Sequence, residues 1–175
     1  MVVIKGFAAA LAQREGQALV EFALVLPLIL LIIFGVIDFG KAWNYKNDET
    51  SLANQAARYA TVNVCAPCGG QSIEAYVKSL ADTGELRNGT GQIDSPGVTI
   101  SFCFPARSAG RVGDALQATA TATYNWLPYL GLNPGAKIAS TVIVRLEQAY
   151  DPLVASNNAY GNGTAGSTFP IPRCS

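Results

Sequence analysis

One acidic side chain stands inside an otherwise apolar stretch near the N-terminus. Ala18 to Ile37 is a run of 20 residues in which Glu21 alone is charged. Such a charge costs about 2.5 to 3.5 kcal/mol at the centre of a membrane helix and less near the interface. Because of this cost, a charged residue in a membrane helix usually has a partner of opposite charge or a hydrogen-bond partner. No Lys or Arg occurs between Gly16 and Lys41. Glu21 therefore either reaches the head groups or stays protonated, or it meets a cation from outside the stretch.

The cysteines are the other residues with chemistry to offer: Cys65, Cys68, Cys103 and Cys174. All follow the apolar stretch, and in an oxidising compartment an even number of cysteines favours two disulfides. Four cysteines allow three connectivities, and the sequence alone does not choose among them. We prefer the arrangement in which Cys65 or Cys68 pairs with Cys103 and the other pairs with Cys174. This pairing ties the helix end to the sheet and holds the tail.

Two other uses of the cysteines are less favoured. Cys65-Ala-Pro-Cys68 resembles a thiol oxidoreductase motif, but that motif needs its first cysteine at a helix N-terminus after a strand. Here a long helical pattern precedes it and two glycines follow. A four-thiolate zinc site needs two paired-cysteine knuckles, and the chain has one. We therefore predict no metal and no cofactor.

Composition excludes several classes of function. The 175 residues include no histidine, which removes Ser-His-Asp and Cys-His catalysis and His-ligated metals. Lys plus Arg and Asp plus Glu are both 12, so no net field attracts nucleic acid. The sequence predicts a protein that is not an enzyme and binds neither nucleic acid nor a small-molecule substrate.

The apolar stretch is long enough to be a membrane anchor. At about 1.5 Å per residue, a helix over residues 18–37 crosses a hydrocarbon core of roughly 30 Å. It exceeds a signal-peptide core, ends in no cleavage site of A-x-A type, and is followed by Trp43 and Tyr45 at interfacial depth. Nothing else in the chain is apolar enough to surround it as a core helix. Pro27 removes a backbone hydrogen bond inside the span and predicts a kink.

The helical pattern continues beyond the anchor. Residues 38–62 contain no proline, so we expect the helix to leave the membrane unbroken and to end within residues 63–70. One of its faces carries small side chains that would let another helix or the sheet of the head approach closely: Ala53, Ala56, Ala57 and Ala60.

The rest of the chain predicts a small α+β head. Ser72 to Leu80 has the period of an amphipathic helix capped by Ser72, and Asp82 to Gly97 has a loop composition. Period-two alternation then predicts three strands, over Val98 to Phe104, Asp114 to Tyr124 and Ile138 to Glu147. The expected fold is a long N-terminal membrane helix with a head that contains a roughly three-stranded antiparallel sheet and a short helix.

Two segments complete the organisation. The apolar connection from Trp126 to Gly135 caps the sheet, lies on the membrane or touches a partner; the sequence leaves all three open. We divide the chain into a leader, a long helix, the head and an irregular tail, at residues 1–16, 17–63, 64–150 and 151–175.

The residues around Glu21 carry a family resemblance. Gly16 followed by Gln17, with Glu21 as the fifth residue after the glycine, Arg14 upstream and an apolar helix downstream, resembles a class III prepilin-like processing site. More closely, Gly16-Gln-Ala-Leu-Val-Glu-Phe-Ala-Leu-Val-Leu-Pro-Leu and Phe34-Gly-Val-Ile-Asp-Phe-Gly resemble the TadE-like family, the minor pseudopilins of bacterial tight-adherence (Flp-type) pili. The resemblance covers about residues 13–62.

The resemblance implies a processing event and a register contact. A membrane aspartic peptidase of the prepilin type would cut between Gly16 and Gln17 on the cytoplasmic side. The freed amine of Gln17 would then partner a Glu21, in a neighbouring subunit if the protein enters a filament. The gross attraction between such charges is about 4 kcal/mol at 4 Å and an effective dielectric of 20, before desolvation is subtracted.

These expectations define one main hypothesis. It is a non-catalytic, single-pass minor pseudopilin of the bacterial cytoplasmic membrane, with its N-terminus inside and its head outside, which acts in assembly, initiation or tip function of a pilus. Its partners would be the membrane, the peptidase and other pilins or pseudopilins. The alternatives are a membrane-tethered adhesive module that never enters a filament and, after it, a tethered thiol oxidoreductase.

Overall fold

The computed structural model describes residues 3–62, 68, 71–105, 108, 110–126, 134–149, 171, 173 and 174, and their side chains from residue 16 onward. In chain order these residues form α1 (Val3–Thr61), α2 (Ile73–Ser79), α3 (Gly84–Asn88), β1 (Thr99–Cys103), β2 (Ala115–Asn125) and β3 (Gly135–Arg145). The chain divides into two compact units, Met1–Gly40 and Lys41–Ser175.

Helix α1 is continuous across 59 residues and contains Pro27. The prediction that the helix continues unbroken past the anchor is confirmed. It also begins earlier than the predicted long helix, at Val3, so the bond between Gly16 and Gln17 lies within helical backbone. The predicted terminating segment, residues 63–70, lies outside the described residues except for Cys68.

The second unit contains the predicted antiparallel sheet. Its order is β1-β2-β3, so β2 is central and pairs with both neighbours. In the register of the sheet, Ile100 lies opposite Ala120, and Ala120 lies opposite Ser140. β3 occupies Gly135–Arg145 and not residues 138–147, because its pairing with β2 extends to Asn125 opposite Gly135. The α+β fold class with a three-stranded antiparallel sheet is confirmed.

Strand β2 has one face in the core and one face towards solvent. Leu116, Tyr124 and the three alanines between them are buried, while the residues that alternate with them are half-buried. The Ala-Thr repeat of this strand therefore separates two surfaces, one of methyl groups and one of hydroxyls. The methyl surface faces the core, where small side chains allow a helix to come close.

The helical face that fits this surface belongs to residues 41–61, which we call the outer half of α1. Its small residues Ala53, Ala56, Ala57 and Ala60 are at most 1 % exposed and share one hydrophobic cluster with Ala118, Ala120 and Ala122. Thr50 Oγ1 lies 2.9 Å from Ser140 Oγ, and the Glu147 amide donates to the Thr61 carbonyl at 3.0 Å. Of the two partners left open for the small face, the sheet of the head is the one that it contacts.

The two short helices lie between α1 and the sheet in the chain. α2 has the predicted cap, since Ser72 Oγ accepts from the Ala75 amide at 3.1 Å, and it buries Ile73 and Val77. The prediction of a loop across residues 82–97 is wrong in part, because α3 occupies Gly84–Asn88. Thr83 caps its start and Gly89 ends it with a φ of 69°, a left-handed conformation that suits glycine. Five residues are too few to display a helical period.

The disulfide in the described residues joins Cys103 to Cys174. Our preferred connectivity, with each of these cysteines paired to Cys65 or Cys68, is therefore wrong. The C-terminus returns to the end of β1, where the Cys174 amide donates to the Phe104 carbonyl at 2.9 Å, and this proximity leaves no trace in local sequence. Cys68 is disulfide-bonded as well, to a partner outside the described residues. Residues 127–133 and 150–170, which hold most of the apolar connection and of the tail, also lie outside them.

Replacing Ala56 by leucine tests the close packing of helix on sheet. Ala56 has no exposed surface, so Ala56→Leu should lower the free energy of unfolding by about 1–3 kcal/mol through overpacking. Ser51→Leu, on the exposed side of the same helix, should change it by no more than about 0.5 kcal/mol. Urea unfolding of the detergent-solubilised full chain, followed by circular dichroism, measures both. Equal effects at the two positions would contradict the packing described here.

Candidate functional site

The apolar segment of α1, residues 18–37, presents its side chains outward. All are exposed apart from the half-exposed Gly35. The most apolar window of α1 has a mean hydropathy of 2.9, and none of that window is buried within the protein. By length and composition this helix is able to cross a membrane. A helix so apolar and so uncovered needs a solvent other than water.

Gly16 precedes this segment without any packing reason to be glycine. A Cβ built at Gly16 meets nothing within 4 Å, and the residue adopts ordinary helical backbone. Glycine in a helix interior costs roughly 1 kcal/mol relative to alanine. No contact within the folded chain compensates for that cost. A glycine at this position is therefore better explained by recognition by another protein.

Glu21 has a partner in α1 that our sequence reasoning missed. Gln17 Nε2 donates to Glu21 Oε1 at 3.0 Å, in an exposed side-chain pair four residues apart. A neutral amide one helical turn away, and not a cation, satisfies one oxygen of the Glu21 carboxylate. The i, i+4 spacing of the two residues was the available signal. Gln17 and Glu21 thus form one local group, and Pro27 lies further along the same helix.

The family comparison falls on this segment. Residues 16–58 match the family model described as TadE-like protein. Over this segment the chain is similar to the TadE-like family. Neither a curated protein nor a solved structure matches the chain at a significant level.

The TadE-like match begins at Gly16 and continues into the outer half of α1. It therefore includes a second group of polar residues, which anchors the helix to the segment around α3. Lys41 Nζ lies 3.7 Å from Glu85 Oε2, and the Tyr45 hydroxyl donates to the same carboxylate oxygen. One turn further on, Asp48 Oδ2 accepts from the Asp82 amide at 2.9 Å.

Asp48 is buried beside this group, with consequences for its charge. Burial raises the pKa of the Asp48 carboxyl, and the bond from the Asp82 amide opposes that shift. The Asp82 charge adds to the rise, while the Arg87 guanidinium lowers the pKa. The hydrogen bond from a backbone donor identifies Asp48 as a structural anchor of the outer half.

Glu49 is the most unusual residue of the TadE-like segment. It has no exposed surface, and neither carboxyl oxygen forms a hydrogen bond. Burial raises the pKa of Glu49 to about 8, against smaller opposing effects of the Lys46 charge and the nearby Ala122 amide; the Asp48 charge adds to the rise. At neutral pH the group is therefore largely protonated. Sequence reasoning overlooked it, although Glu49, Ala53, Ala56 and Ala60 follow the period of the buried face.

The site residues of the sequence thus fall into separate places. Gly16, Gln17 and Glu21 share one short stretch of α1, whereas the Cys103–Cys174 disulfide lies at the end of β1. No cluster of three metal-ligating side chains occurs in the part of the chain that the structure describes. The family and the apolar helix together support a single-pass membrane protein associated with a tight-adherence pilus.

Glu49 predicts a pH dependence of stability. Its folded-state pKa is raised from 4.5 to about 8, so the stabilising contribution of the protonated form is complete below about pH 4.5 and is lost as the pH rises through about 8. Each pKa unit corresponds to about 1.4 kcal/mol, so the wild-type free energy of unfolding should fall by up to about 4 kcal/mol across this window. Glu49→Gln, which cannot ionise, should lose this decline.

The measurement is a series of urea unfolding curves between pH 5 and 9 on the detergent-solubilised full chain. Glu147→Gln is the matched control, since Glu147 is exposed and should leave the pH profile of the wild type intact. Parallel profiles for the wild type and Glu49→Gln would show that Glu49 does not bind its proton in the folded state.

Proposed function

We propose that this chain is a non-catalytic minor pseudopilin of a tight-adherence pilus, in whose assembly, initiation or tip it takes part after cleavage between Gly16 and Gln17. The observation that carries the proposal is that the start of the family match coincides with Gly16. The TadE-like match starts at Gly16, a residue at which the fold itself has no packing use for glycine. A peptidase that requires a small residue before the cut supplies that use.

Cleavage would change the chemistry of the helix end. It removes residues 1–16 and leaves Gln17 as the first residue, with a positive amine about one helical turn from Glu21. In a filament the Glu21 carboxylate would meet the Gln17 amine of a neighbouring subunit, and this contact would favour one axial register over a slipped one. The Gln17 side-chain amide, which now binds Glu21, holds the carboxylate at that end of the helix.

The proposed orientation places the N-terminus in the cytoplasm and the head outside. The Cys103–Cys174 disulfide supports this topology, because disulfides form and persist mainly in oxidising compartments. The proposed partners are the membrane, a prepilin-type aspartic peptidase and other pilins or pseudopilins of the same system. Cofactors, nucleic acids and small-molecule substrates have no part in the proposal.

Intact mass tests the processing step. Protein extracted from membranes of cells that carry the pilus system should lack the mass of Met1 to Gly16. Gly16→Leu should remain full length, because a bulky side chain blocks the peptidase, and the open surroundings of Gly16 leave the helix undisturbed. Gly35→Leu, a matched change in the same helix with equally open surroundings, should still be cut. A full-length wild-type protein would refute the pseudopilin function and favour a tethered adhesive module.

Neutralising Glu21 tests the register contact separately. Glu21→Gln should leave membrane insertion and cleavage unchanged, since it removes a charge from an apolar segment, but it should reduce pilus number through loss of the contact with the Gln17 amine. Counting surface pili by electron microscopy, beside the exposed-site control Glu147→Gln, measures the effect. Wild-type numbers of pili in Glu21→Gln cells would leave Glu21 without an assembly role.

A further inference from the structure

Strand β3 lies at the edge of the sheet. It pairs with β2 over its whole length of 11 residues, and among the described residues no strand pairs with its other side. We call that other side the free edge of β3. An edge strand presents backbone donors and acceptors that a further strand is able to pair with.

The ladder shows which residues present these groups. The Leu146 amide donates to the Asp114 carbonyl, and Pro134 accepts from the Trp126 amide, so the even-numbered residues of this stretch direct their backbone groups towards β2. In an antiparallel strand the alternate residues then direct theirs away. The Lys46 ammonium donates to the Ala139 carbonyl, which fits this alternation. Lys137, Thr141, Ile143 and Arg145 share the parity of Ala139, and all are exposed.

The outer half of α1 borders the free edge. Thr50 contacts the buried Ser140, so the helix accompanies β3 on its core side, and its end reaches the edge just beyond β3, where Thr61 accepts from the Glu147 amide. Thr50, Asn54 and Arg58 are exposed and follow one another at helical spacing. A strand added to the edge would thus have β3 on one side and this polar stripe of the helix beside it.

The charges around the free edge of β3 favour an acidic partner strand. β3 contains Lys137 and Arg145 and no acid, and the helix contributes Lys46 and Arg58. The two acids of the outer half nearest to Lys46, Asp48 and Glu49, are buried. A second copy of β3 would bring only further cations to this edge in any register, which disfavours pairing between two copies.

We propose that the free edge of β3, residues 137–145, is a docking site where an extended acidic segment of a partner protein adds to the sheet as a further strand. Backbone hydrogen bonds to Thr141, Ile143 and Arg145 supply the pairing, and carboxylates of the partner meet Lys137 on one face of the added strand and Lys46 or Arg58 on the other. The proposal goes beyond the pseudopilin function and depends on neither leader cleavage nor Glu21.

Residue-resolved amide exchange on the detergent-solubilised full chain tests the proposal. The probe is a short capped peptide in which glutamate alternates with valine, and its control carries lysine in place of glutamate. Without peptide, the amides of Thr141, Ile143 and Arg145 should exchange faster than those of Val142 and Val144. The glutamate peptide should slow exchange at these odd positions about tenfold or more, with weaker slowing at high salt, and the lysine peptide should not.

Two variants separate strand addition from unspecific binding. Ile143→Pro removes an amide that faces away from β2, so it should abolish the protection by peptide while the β2–β3 ladder amides stay protected. Ile143→Thr keeps the amide and should still be protected. Lys137→Glu retains the backbone and should weaken the effect through charge alone. No slowing with the glutamate peptide, equal slowing with the lysine peptide or in Ile143→Pro, or slowing that rises with protein concentration in the absence of peptide would each overturn the proposal.

Discussion

The close approach of α1 to β2 is the constraint on which the head depends. Alanines on both surfaces, among them Ala56 and Ala120, are completely buried. Larger side chains at either surface would push the helix away from the sheet, and the contacts of Thr50 with Ser140 and of Tyr45 with Tyr124 would lengthen with it. Because protein interiors are packed nearly as densely as organic crystals, a single added methylene group would disturb the packing between the helix and the sheet. The small-residue faces therefore set the position of the helix against the sheet.

This close approach also explains the state of Glu49. A carboxyl that points into an alanine-lined interface has no room for its own water shell, and neither of its oxygens has a hydrogen bond. Burying the charged form would cost several kcal/mol, so the group binds a proton and its pKa rises to about 8. Asp48 lies one residue earlier, and its carboxylate accepts a hydrogen bond from the Asp82 amide. Two adjacent acids thus differ because a backbone amide donates to Asp48, whereas both carboxyl oxygens of Glu49 are buried without a hydrogen bond.

Local sequence patterns predicted much of the fold, and the features that they did not predict all depend on contacts between residues distant in the sequence. Alternation in Val98 to Phe104 and in the Ala-Thr repeat identified strands, and the cap at Ser72 identified α2, because each signal lies within a few residues of its effect. The return of Cys174 to the end of β1 and the sheet as the partner of the alanine face depend on contacts between distant residues. Of the candidate site, the sequence provided Gly16, Gln17 and Glu21. The burial of Glu49 could not be predicted from the sequence, because a periodic helix face becomes buried only when another surface covers it.

Gln17 and Glu21 also acquire meaning from their place along the helix. In the uncut chain Glu21 lies in the interior of α1, which begins at Val3, where the helix dipole gives an acid no benefit. If the chain is cut after Gly16, the same residue comes to lie near a new helix N-terminus, beside unsatisfied backbone amides and a positive amine. An acid in that position stabilises the helix end by about 0.3–1 kcal/mol even without a neighbour. Cleavage would thus turn a costly charge in an apolar segment into one that the shortened helix itself favours.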